Sequence, residues 1–393
     1  MPVPGFSPNL APDLSAIPVV DNHCHGFLSV QGPFDLAAYR AHFTESAGQE
    51  TRAEHAAATL AYRRVLRALA AFLGADPDDE AAILAARNAR AAPDAGDALI
   101  RDLLRAATIG ALLIDQGYPP AHLVRPDAQV AALAGIRAAP ILRLEILMQD
   151  LIAAHDTLGA VAEALRAALA DIRAAGYVAL KSIAAYRGGL AIHTWPRADA
   201  ETAFAAARRE VGERGALRLT SRPLLDTLLH VAFAAAARQE VPIQFHTGYG
   251  DTDADLLLAN PLHLRAVLEH RPYRGMPVVL LHESYPYTRE GAYLAAVYDH
   301  VYLDLSYGIP FLGAGEMLAF TRAALGVAPW TKLLYSSDAV GIPELHWASA
   351  HDGRRILSAA LGECVATGEL TMREAEAAGR AILHENATRL YQL

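Results

Sequence analysis

The chain has 393 residues with 34 basic and 43 acidic side chains, which gives a formal net charge of −9. This acidic balance, without a cluster of basic residues, argues against nucleic-acid binding. No apolar run reaches the ~18–20 residues that cross a bilayer, and the N-terminus lacks the charged and apolar regions of a signal peptide. The two cysteines predict no disulfide framework. We therefore expect a cytoplasmic protein that binds neither nucleic acid nor membrane.

Short apolar runs alternate with Ala-, Leu- and Arg-rich segments of helical period along most of the chain. The apolar runs predict eight strands, at Ala16–Asp21, Thr108–Asp115, Ile141–Ile146, Tyr177–Lys181, Pro242–His246, Pro277–His282, Val301–Asp304 and Lys332–Ser336. The intervening helices are predicted at Val161–Ala175, Arg222–Arg238, Leu262–His270, Glu290–His300, Gly315–Leu325 and Met372–Tyr391. Eight such units favour an α/β fold of the closed (β/α)8 type, a TIM barrel, over an open doubly wound sheet.

The connection between the first two predicted strands is much longer than a strand-to-helix connection requires. Its helical period covers Thr51–Phe72, Asp78–Ala91 and Asp97–Ala107. We therefore predict a single distorted barrel domain over residues 1–393, with a helical insertion at residues 26–107. The insertion is interpreted either as functional or as decoration of the barrel. A functional insertion would be a lid or a dimer surface, and a dimer surface here would allow a homodimer.

The strongest local signal is the sequence Asp-Asn-His-Cys-His at positions 21–25, where the first strand ends. Alternation along a strand places His23 and His25 on one face. Two imidazoles at this spacing can reach one metal ion, although packed core histidines produce the same pattern by chance.

Other predicted strands also end in residues that bind metals or carry chemistry. Lys181, His246 and His282 end the fourth, fifth and sixth strands, and Asp338 follows the eighth. The carboxyl ends of the strands of a (β/α)8 barrel meet at one mouth, where active sites lie. We therefore expect these residues to share one pocket with the two histidines of the first strand.

This ordered set of residues resembles the amidohydrolase superfamily of metal-dependent hydrolases. The segments Lys181–Leu190 and His384–Tyr391 are similar to its "amidohydrolase 2" branch. They are most similar to the amidohydrolase half that is fused to glutamine-synthetase-like domains in fungi and plants. The resemblance covers nearly the whole chain, but the sequence contains no glutamine-synthetase-like portion.

The resemblance implies one or two bound metal ions, with Zn²⁺ expected and Mn²⁺ or Fe²⁺ as alternatives. His23, His25 and His246 are the expected imidazole ligands. Asp338 is expected to bind metal and to take a proton from the attacking water. His282 has two open roles, as a ligand of a second ion or as an acid, base or electrophile beside the substrate.

Lys181 is one of only two lysines, beside Lys332, in a chain that otherwise uses arginine. A primary amine can react with CO₂ to form a carbamate that bridges two metal ions, whereas a guanidinium cannot. Two other interpretations stay open, an ammonium that binds a substrate carboxylate and an ordinary strand residue.

Candidate substrate contacts lie in the third strand and in the loops after the strand ends. Arg143 and Glu145 are predicted to share one face near the end of the third strand, where they could pair or Arg143 could bind a carboxylate. Tyr186, Arg187 and Glu283 follow strand ends in loops that commonly contact substrate.

The predicted function is metal-dependent hydrolysis of a C–N bond, in an amide or amidine, of a small molecule that carries a carboxylate. Decarboxylation or isomerisation of a small organic acid on the same barrel is the first alternative. A metal-binding or regulatory barrel without catalytic activity is the second, and the full set of strand-end ligands argues against it.

Overall fold

The computed structural model describes residues 10–91 and 96–393, so residues 1–9, where no signal peptide is predicted, lie outside the described residues. Eight strands form one sheet in chain order, β1 Val19–His25, β2 Ile109–Asp115, β3 Arg137–Arg143, β4 Ala179–Ser182, β5 Ile243–Phe245, β6 Val278–Leu280, β7 Val301–Ser306 and β8 Leu333–Ser336. The described strand pairs are parallel. Parallel strands in unbroken chain order are the topology of a (β/α)8 barrel, and the predicted fold class is confirmed.

The α-helices of the described residues are α1 Leu36–Arg40, α2 Gln49–Ala53, α3 Leu60–Leu73, α4 Glu80–Arg90, α5 Gly96–Ala106, α6 Asp127–Ala134, α7 Leu144–Ala154, α8 Leu158–Ala168, α9 Arg197–Arg214, α10 Arg222–Gln239, α11 Arg265–Leu268, α12 Thr288–Val297, α13 Ala314–Leu325, α14 Pro343–Ala366, α15 Met372–Arg380 and α16 Asn386–Tyr391. Short 3-10 helices cover Ala41–Phe43, His55–Ala58, Ala121–Leu123, Ala184–Arg187, Pro261–Leu264, Arg271–Tyr273, His282–Ser284 and Trp330–Lys332, and a π-helix covers Ala381–Glu385. Within residues 10–91 and 96–393, none of these helices has the length and hydropathy that crossing a bilayer requires.

The predicted strands all differ in their bounds from the strands of the structure, and the differences at β1 and β3 bear on the site. β1 continues to His25, so the histidine pair lies within a buried strand and not after it. β3 ends at Arg143, and the residues from Leu144 onward form α7. The buried Leu144, Met148 and Ile152 of α7 are spaced four residues apart, which is the period of a helix.

Several helical segments also differ from the predicted pattern, and α6 and α9 were not predicted. The predicted helix Thr51–Phe72 is broken, because Thr59 adopts an extended conformation and its side chain caps α3 by accepting from the Tyr62 amide. The long helix α14 was not predicted. It is buried around most of its circumference, so its sequence lacks an amphipathic stripe.

The chain divides into two compact units. Unit 1 comprises residues up to 139 together with residues 304–393, and unit 2 comprises residues 140–303. In unit 1, β1 pairs with β2, and helices α1 to α5 lie between these two strands in the segment predicted as an insertion. In unit 2, β4 pairs with β5 and β5 pairs with β6.

A buried ion pair in unit 1 joins α4 to α14. Arg87 and Glu344 both have 0% exposed side chains, and Arg87 Nε lies 2.5 Å from Glu344 Oε1. Arg87 also donates to the Gln31 carbonyl, and its guanidinium lies 4.9 Å from the Phe34 ring centroid. Both charges are therefore satisfied, which a buried pair requires in order not to destabilise the fold.

We expect the substitution Glu344→Ala to lower the free energy of unfolding by about 3–5 kcal/mol, because it leaves the buried Arg87 guanidinium unpaired. Urea unfolding with matched thermal melts measures this effect. The double variant Arg87→Met/Glu344→Leu should regain most of the loss. In the exposed pair Arg380–Glu385, Glu385→Ala should cost less than about 1 kcal/mol. Equal losses in the buried and exposed pairs would contradict the prediction.

Candidate metal centre

Three predicted ligands meet in unit 1. The Nε2 atoms of His23 and His25 each lie 3.4 Å from Oδ1 of Asp338. The two imidazole rings meet edge to face, with centroids 5.2 Å apart. His23 is buried, while the Asp338 side chain keeps 16% of its surface exposed. The cluster is thus held inside the protein but is accessible through its carboxylate.

Backbone hydrogen bonds between β1 and the segment after β8 position this cluster. The Asp338 amide donates to the His23 carbonyl over 3.0 Å, and the His25 amide donates to the Ala339 carbonyl over 2.8 Å. Asp338 has a φ of 50°, in the left-handed region that aspartate enters more readily than most residues. This turn places the carboxylate beside the two imidazoles that alternate along β1.

The tautomer of His25 follows from its second ring nitrogen. His25 Nδ1 lies 3.0 Å from the backbone carbonyl oxygen of Tyr118. Because a carbonyl oxygen can only accept a hydrogen bond, Nδ1 carries the proton. The lone pair is then on Nε2, the atom that faces Asp338, as in metal-binding histidines whose other nitrogen is fixed by a hydrogen bond.

The spacing of the three donors fits a divalent metal ion. Ligands about 2.1 Å from one tetrahedral ion lie roughly 3.4 Å from each other, which is the separation of each Nε2 from Oδ1 here. The same separation is long for a hydrogen bond, for which N···O distances of about 2.7–3.2 Å are usual. Two imidazole nitrogens and a carboxylate oxygen suit Zn²⁺, and these donor types also occur in manganese and iron sites.

Asp21 holds the segment before Asp338 through hydrogen bonds, a role that the sequence did not predict. Its carboxylate accepts from the Ser337 amide over 2.9 Å and from the Ser337 hydroxyl over 2.5 Å. Burial raises the pKa of Asp21 to about 8. Asp21 thereby fixes the residue before Asp338. The sequence shows Asp21 and Ser337 next to predicted ligands but not that they touch.

A second group of polar contacts ties β1 to the C-terminal part of unit 1. The Asn22 side chain donates to the Tyr335 carbonyl over 2.9 Å and accepts from the Tyr391 hydroxyl over 2.9 Å. Asp304 accepts from the Ser336 hydroxyl over 2.6 Å. These buried, satisfied contacts hold the histidine-bearing strand against β8 and α16.

His346 also lies near the centre in unit 1. It is fully buried and stacks on Phe27 with ring centroids 4.2 Å apart. Donor atoms of His346, Asp21 and Cys24 lie within 4.8 Å of one another. Burial lowers the pKa of His346 to about 3, so this imidazole is neutral near pH 7.

In unit 2, Lys181 lies on β4 with 2% of its surface exposed. It is in register with Arg143 on β3 and with Gln244 on β5. Residues in register on neighbouring parallel strands point to the same face of the sheet, so the three side chains form one row across it. The structure therefore brings Arg143 next to Lys181.

The aromatic rings that follow the strand ends of unit 2 are in contact. The centroid of His246 lies 4.5 Å from that of His282 and 4.4 Å from that of Tyr186. His246 Nε2 lies 2.6 Å from the Tyr249 carbonyl oxygen and therefore carries a proton, which leaves the lone pair on Nδ1. Unit 2 thus assembles three of the predicted site residues by itself.

His282 begins a turn in a strained conformation, and not the end of a strand as predicted. β6 ends at Leu280, and His282, Glu283 and Ser284 have φ values of 64°, 39° and 56°. Left-handed backbone costs about 1–2 kcal/mol per non-glycine residue. Thr247 stabilises the turn, because its hydroxyl donates to the Leu281 carbonyl and contacts the Ser284 hydroxyl. Strain of this kind concentrates at functional sites.

The prediction that Arg143 and Glu145 share one face of a strand is wrong, because Glu145 lies in the first turn of α7. Glu145 is buried, and its Oε1 accepts from the Ser182 hydroxyl and the Ile183 amide over 2.7 and 3.0 Å. Burial raises the pKa of Glu145. Arg187 ends the 3-10 helix that follows β4.

Known proteins resemble the chain over most of its length. The Emericella nidulans protein fluG is 31% identical over 400 residues, which cover 96% of this chain and 46% of fluG. The chain thus spans about half the length of this curated relative. A Lactobacillus casei ATCC 334 protein, proposed to be a metal-dependent hydrolase, is 31% identical to this chain, and its crystal structure has a TM-score of 0.86. The match covers 97% of this chain and 98% of the L. casei chain.

A Thermotoga maritima uronate isomerase is 15% identical to this chain, with a TM-score of 0.66. The match covers 98% of this chain and 96% of the isomerase chain. At this identity the likeness shows a shared fold alone. The sequence profile of the amidohydrolase family matches residues 119–393. The chain therefore belongs to the amidohydrolase family.

We expect His23→Ala to lower metal affinity by about 100-fold or more, because changes to residues that merely support a ligand already cost about 10–100-fold. Metal content after dialysis, measured by inductively coupled plasma mass spectrometry, tests this. The exposed His55 provides a matched control, since His55→Ala should leave the metal content unchanged. Full metal content in the His23 variant would remove His23 from the ligand set.

Proposed function

We propose that this protein is a metal-dependent hydrolase that cleaves a C–N bond, in an amide or amidine, of a small molecule carrying a carboxylate. The observation that carries the proposal is the convergence of His23, His25 and Asp338 at a spacing that fits a divalent ion. Membership of the amidohydrolase family and the likeness to the L. casei protein support it.

The residues of unit 1 divide the chemical tasks between them. An ion held by His23, His25 and Asp338 would supply a Lewis acid that polarises the scissile carbonyl and activates water. Asp338 is the proposed general base, because its partly exposed carboxylate can reach a reactant. The hydrogen bond from His25 Nδ1 to the Tyr118 carbonyl fixes the orientation of the ring and points Nε2 at the centre. Asp21 keeps the Asp338 turn in place through Ser337.

We further propose that Lys181 is carboxylated. Lys181 is buried and lies in register with the half-buried Arg143 on the neighbouring strand, and two cations so placed repel each other. A carbamate would convert Lys181 into an anion and relieve this repulsion. The sequence-based prediction that Lys181, His246 and His282 share one centre with the unit 1 ligands stays a prediction.

A second candidate function is decarboxylation or isomerisation of a small organic acid with a single ion. The three donors of unit 1 are enough to hold one ion by themselves, and this observation favours a mononuclear centre. One equivalent of metal together with an unmodified Lys181 amine would support this candidate over the hydrolase.

We expect Asp338→Asn to lower kcat for amide hydrolysis by about 10²–10⁴-fold, because the amide cannot accept the proton that the carboxylate takes. Release of ammonia or amine from a panel of small amides, followed across pH, measures this loss. The falling acid limb of the wild-type profile should disappear in the variant. Unchanged turnover would exclude Asp338 as the base, and release of CO₂ in place of amine would favour decarboxylation.

We expect Lys181→Arg to lower metal-dependent activity by about 100-fold or more, because arginine keeps the charge but cannot form a carbamate. The only other lysine provides a matched control, since Lys332→Arg should retain full activity. A crystal structure with anomalous metal scattering would show the metal count and any density beyond Nζ of Lys181. Full turnover with two ions in Lys181→Arg would contradict the carbamate.

A further inference from the structure

We propose that Glu145 and Arg187 recognise the head group of an α-amino acid, with the carboxylate on Arg187 and the ammonium on Glu145. This inference rests on the proposed function and names its substrate class, an amide carried on the side chain of an amino acid. Both residues belong to unit 2.

Glu145 presents one carboxylate oxygen that the protein does not satisfy. Its Oε1 is held by the Ser182 hydroxyl and the Ile183 amide. Its Oε2 is buried and has no hydrogen-bond partner within the described part of the chain. A buried carboxylate oxygen without a donor is costly, and a ligand ammonium would supply up to three donors.

Arg187 has the opposite need, because its buried donors lack acceptors. Its Nε and Nη1 atoms are buried and have no acceptor among residues 10–91 and 96–393. Each of these nitrogens shares one edge of the planar guanidinium with Nη2, and a carboxylate can bind such an edge with two parallel hydrogen bonds. Burial and the nearby cation Arg218 lower the pKa of Arg187, and Arg218 itself pairs with Asp253. The site therefore lacks an anion and not a further cation.

The local fold connects the unsatisfied atoms of Glu145 and Arg187 through a short segment of chain. Glu145 binds the peptide at Ile183, and the 3-10 helix Ala184–Arg187 begins at the next residue. The two side chains do not pair directly, since neither takes part in an ion pair within the described ranges. Their charges still interact, because Glu145 opposes the fall in the pKa of Arg187. A ligand between them would satisfy both.

The chemistry of the two residues selects a zwitterion. A simple carboxylate would satisfy Arg187 but leave Glu145 Oε2 without a donor, and an amine would do the reverse. Water can bond to both but neutralises neither charge. A ligand with adjacent carboxylate and ammonium groups satisfies both residues at once, and its side chain remains free to present an amide. Lys181 directly precedes Ser182, which binds Glu145, so the head group would lie close to Lys181.

Isothermal titration of the full-length protein after removal of its metal, so that no amide is hydrolysed, tests the proposal with three probes. L-glutamine carries both charges, glutaramic acid lacks the ammonium, and 4-aminobutanamide lacks the α-carboxylate. Hydrogen bonds to charged groups are worth about 1.5–3 kcal/mol, so L-glutamine should bind about tenfold or more tightly than either analogue.

Two variants separate the two charges. Arg187→Lys should weaken L-glutamine and glutaramic acid about tenfold or more while leaving 4-aminobutanamide unchanged, because lysine lacks the planar pair of donors. Glu145→Gln keeps an oxygen for Ser182 and Ile183. It should weaken L-glutamine and 4-aminobutanamide but leave glutaramic acid unchanged. The exposed Arg166 pairs with Glu163, and Arg166→Lys is the matched control, expected to bind all three probes as the wild type does.

Variants that change the melting temperature but leave the preference among the probes unchanged would show a purely structural role and overturn the proposal. A wild-type protein that does not distinguish the three probes would also overturn it. The proposed function is tested separately. It fails if His23→Ala keeps its metal and Asp338→Asn keeps its activity, or if the wild-type protein hydrolyses no amide. Amide hydrolysis without probe discrimination would leave that function intact and exclude this recognition site.

Discussion

The structure of the candidate centre depends on two backbone hydrogen bonds between β1 and the segment that follows β8. They join Asp338 to His23 and His25 to Ala339, and so bring together residues more than three hundred positions apart in the chain. A barrel places its last strand beside its first, which makes this pairing possible. Without it, the Asp338 carboxylate would not lie 3.4 Å from both imidazoles, and these three donors would not form a site for one ion.

The residues around this pairing are buried and satisfied. Asp21 holds Ser337, while Asn22 binds Tyr335 and Tyr391. A fully paired polar network rigidifies its surroundings because each unmade bond in a buried site would be costly. The ligands are therefore held in position before any ion binds, which reduces the reorganisation that binding would require. In unit 2, a side-chain hydrogen bond from Thr247 stabilises the left-handed turn that begins at His282.

Strand and helix periodicity were enough to predict the class of fold, because eight apolar runs alternate with helical segments and each element has a characteristic spacing. Boundaries were less certain where a buried helix has no polar side. α14 is hidden on most faces and escaped detection, and the start of α7 was read as strand. The latter error placed Glu145 on a strand beside Arg143, whereas the structure binds it to the end of β4.

The sequence alone determined which side chains lie in or shortly after the ends of the strands, since alternation and strand order depend on local spacing and on residue type. His23, His25, Lys181, His246, His282 and Asp338 were all recognisable in this way. Only the tertiary structure decided which donors meet, which tautomer His25 adopts and which atoms of Glu145 and Arg187 lack partners. These properties depend on contacts between residues distant in the chain, such as the Tyr118 carbonyl on His25, and no local pattern encodes such contacts.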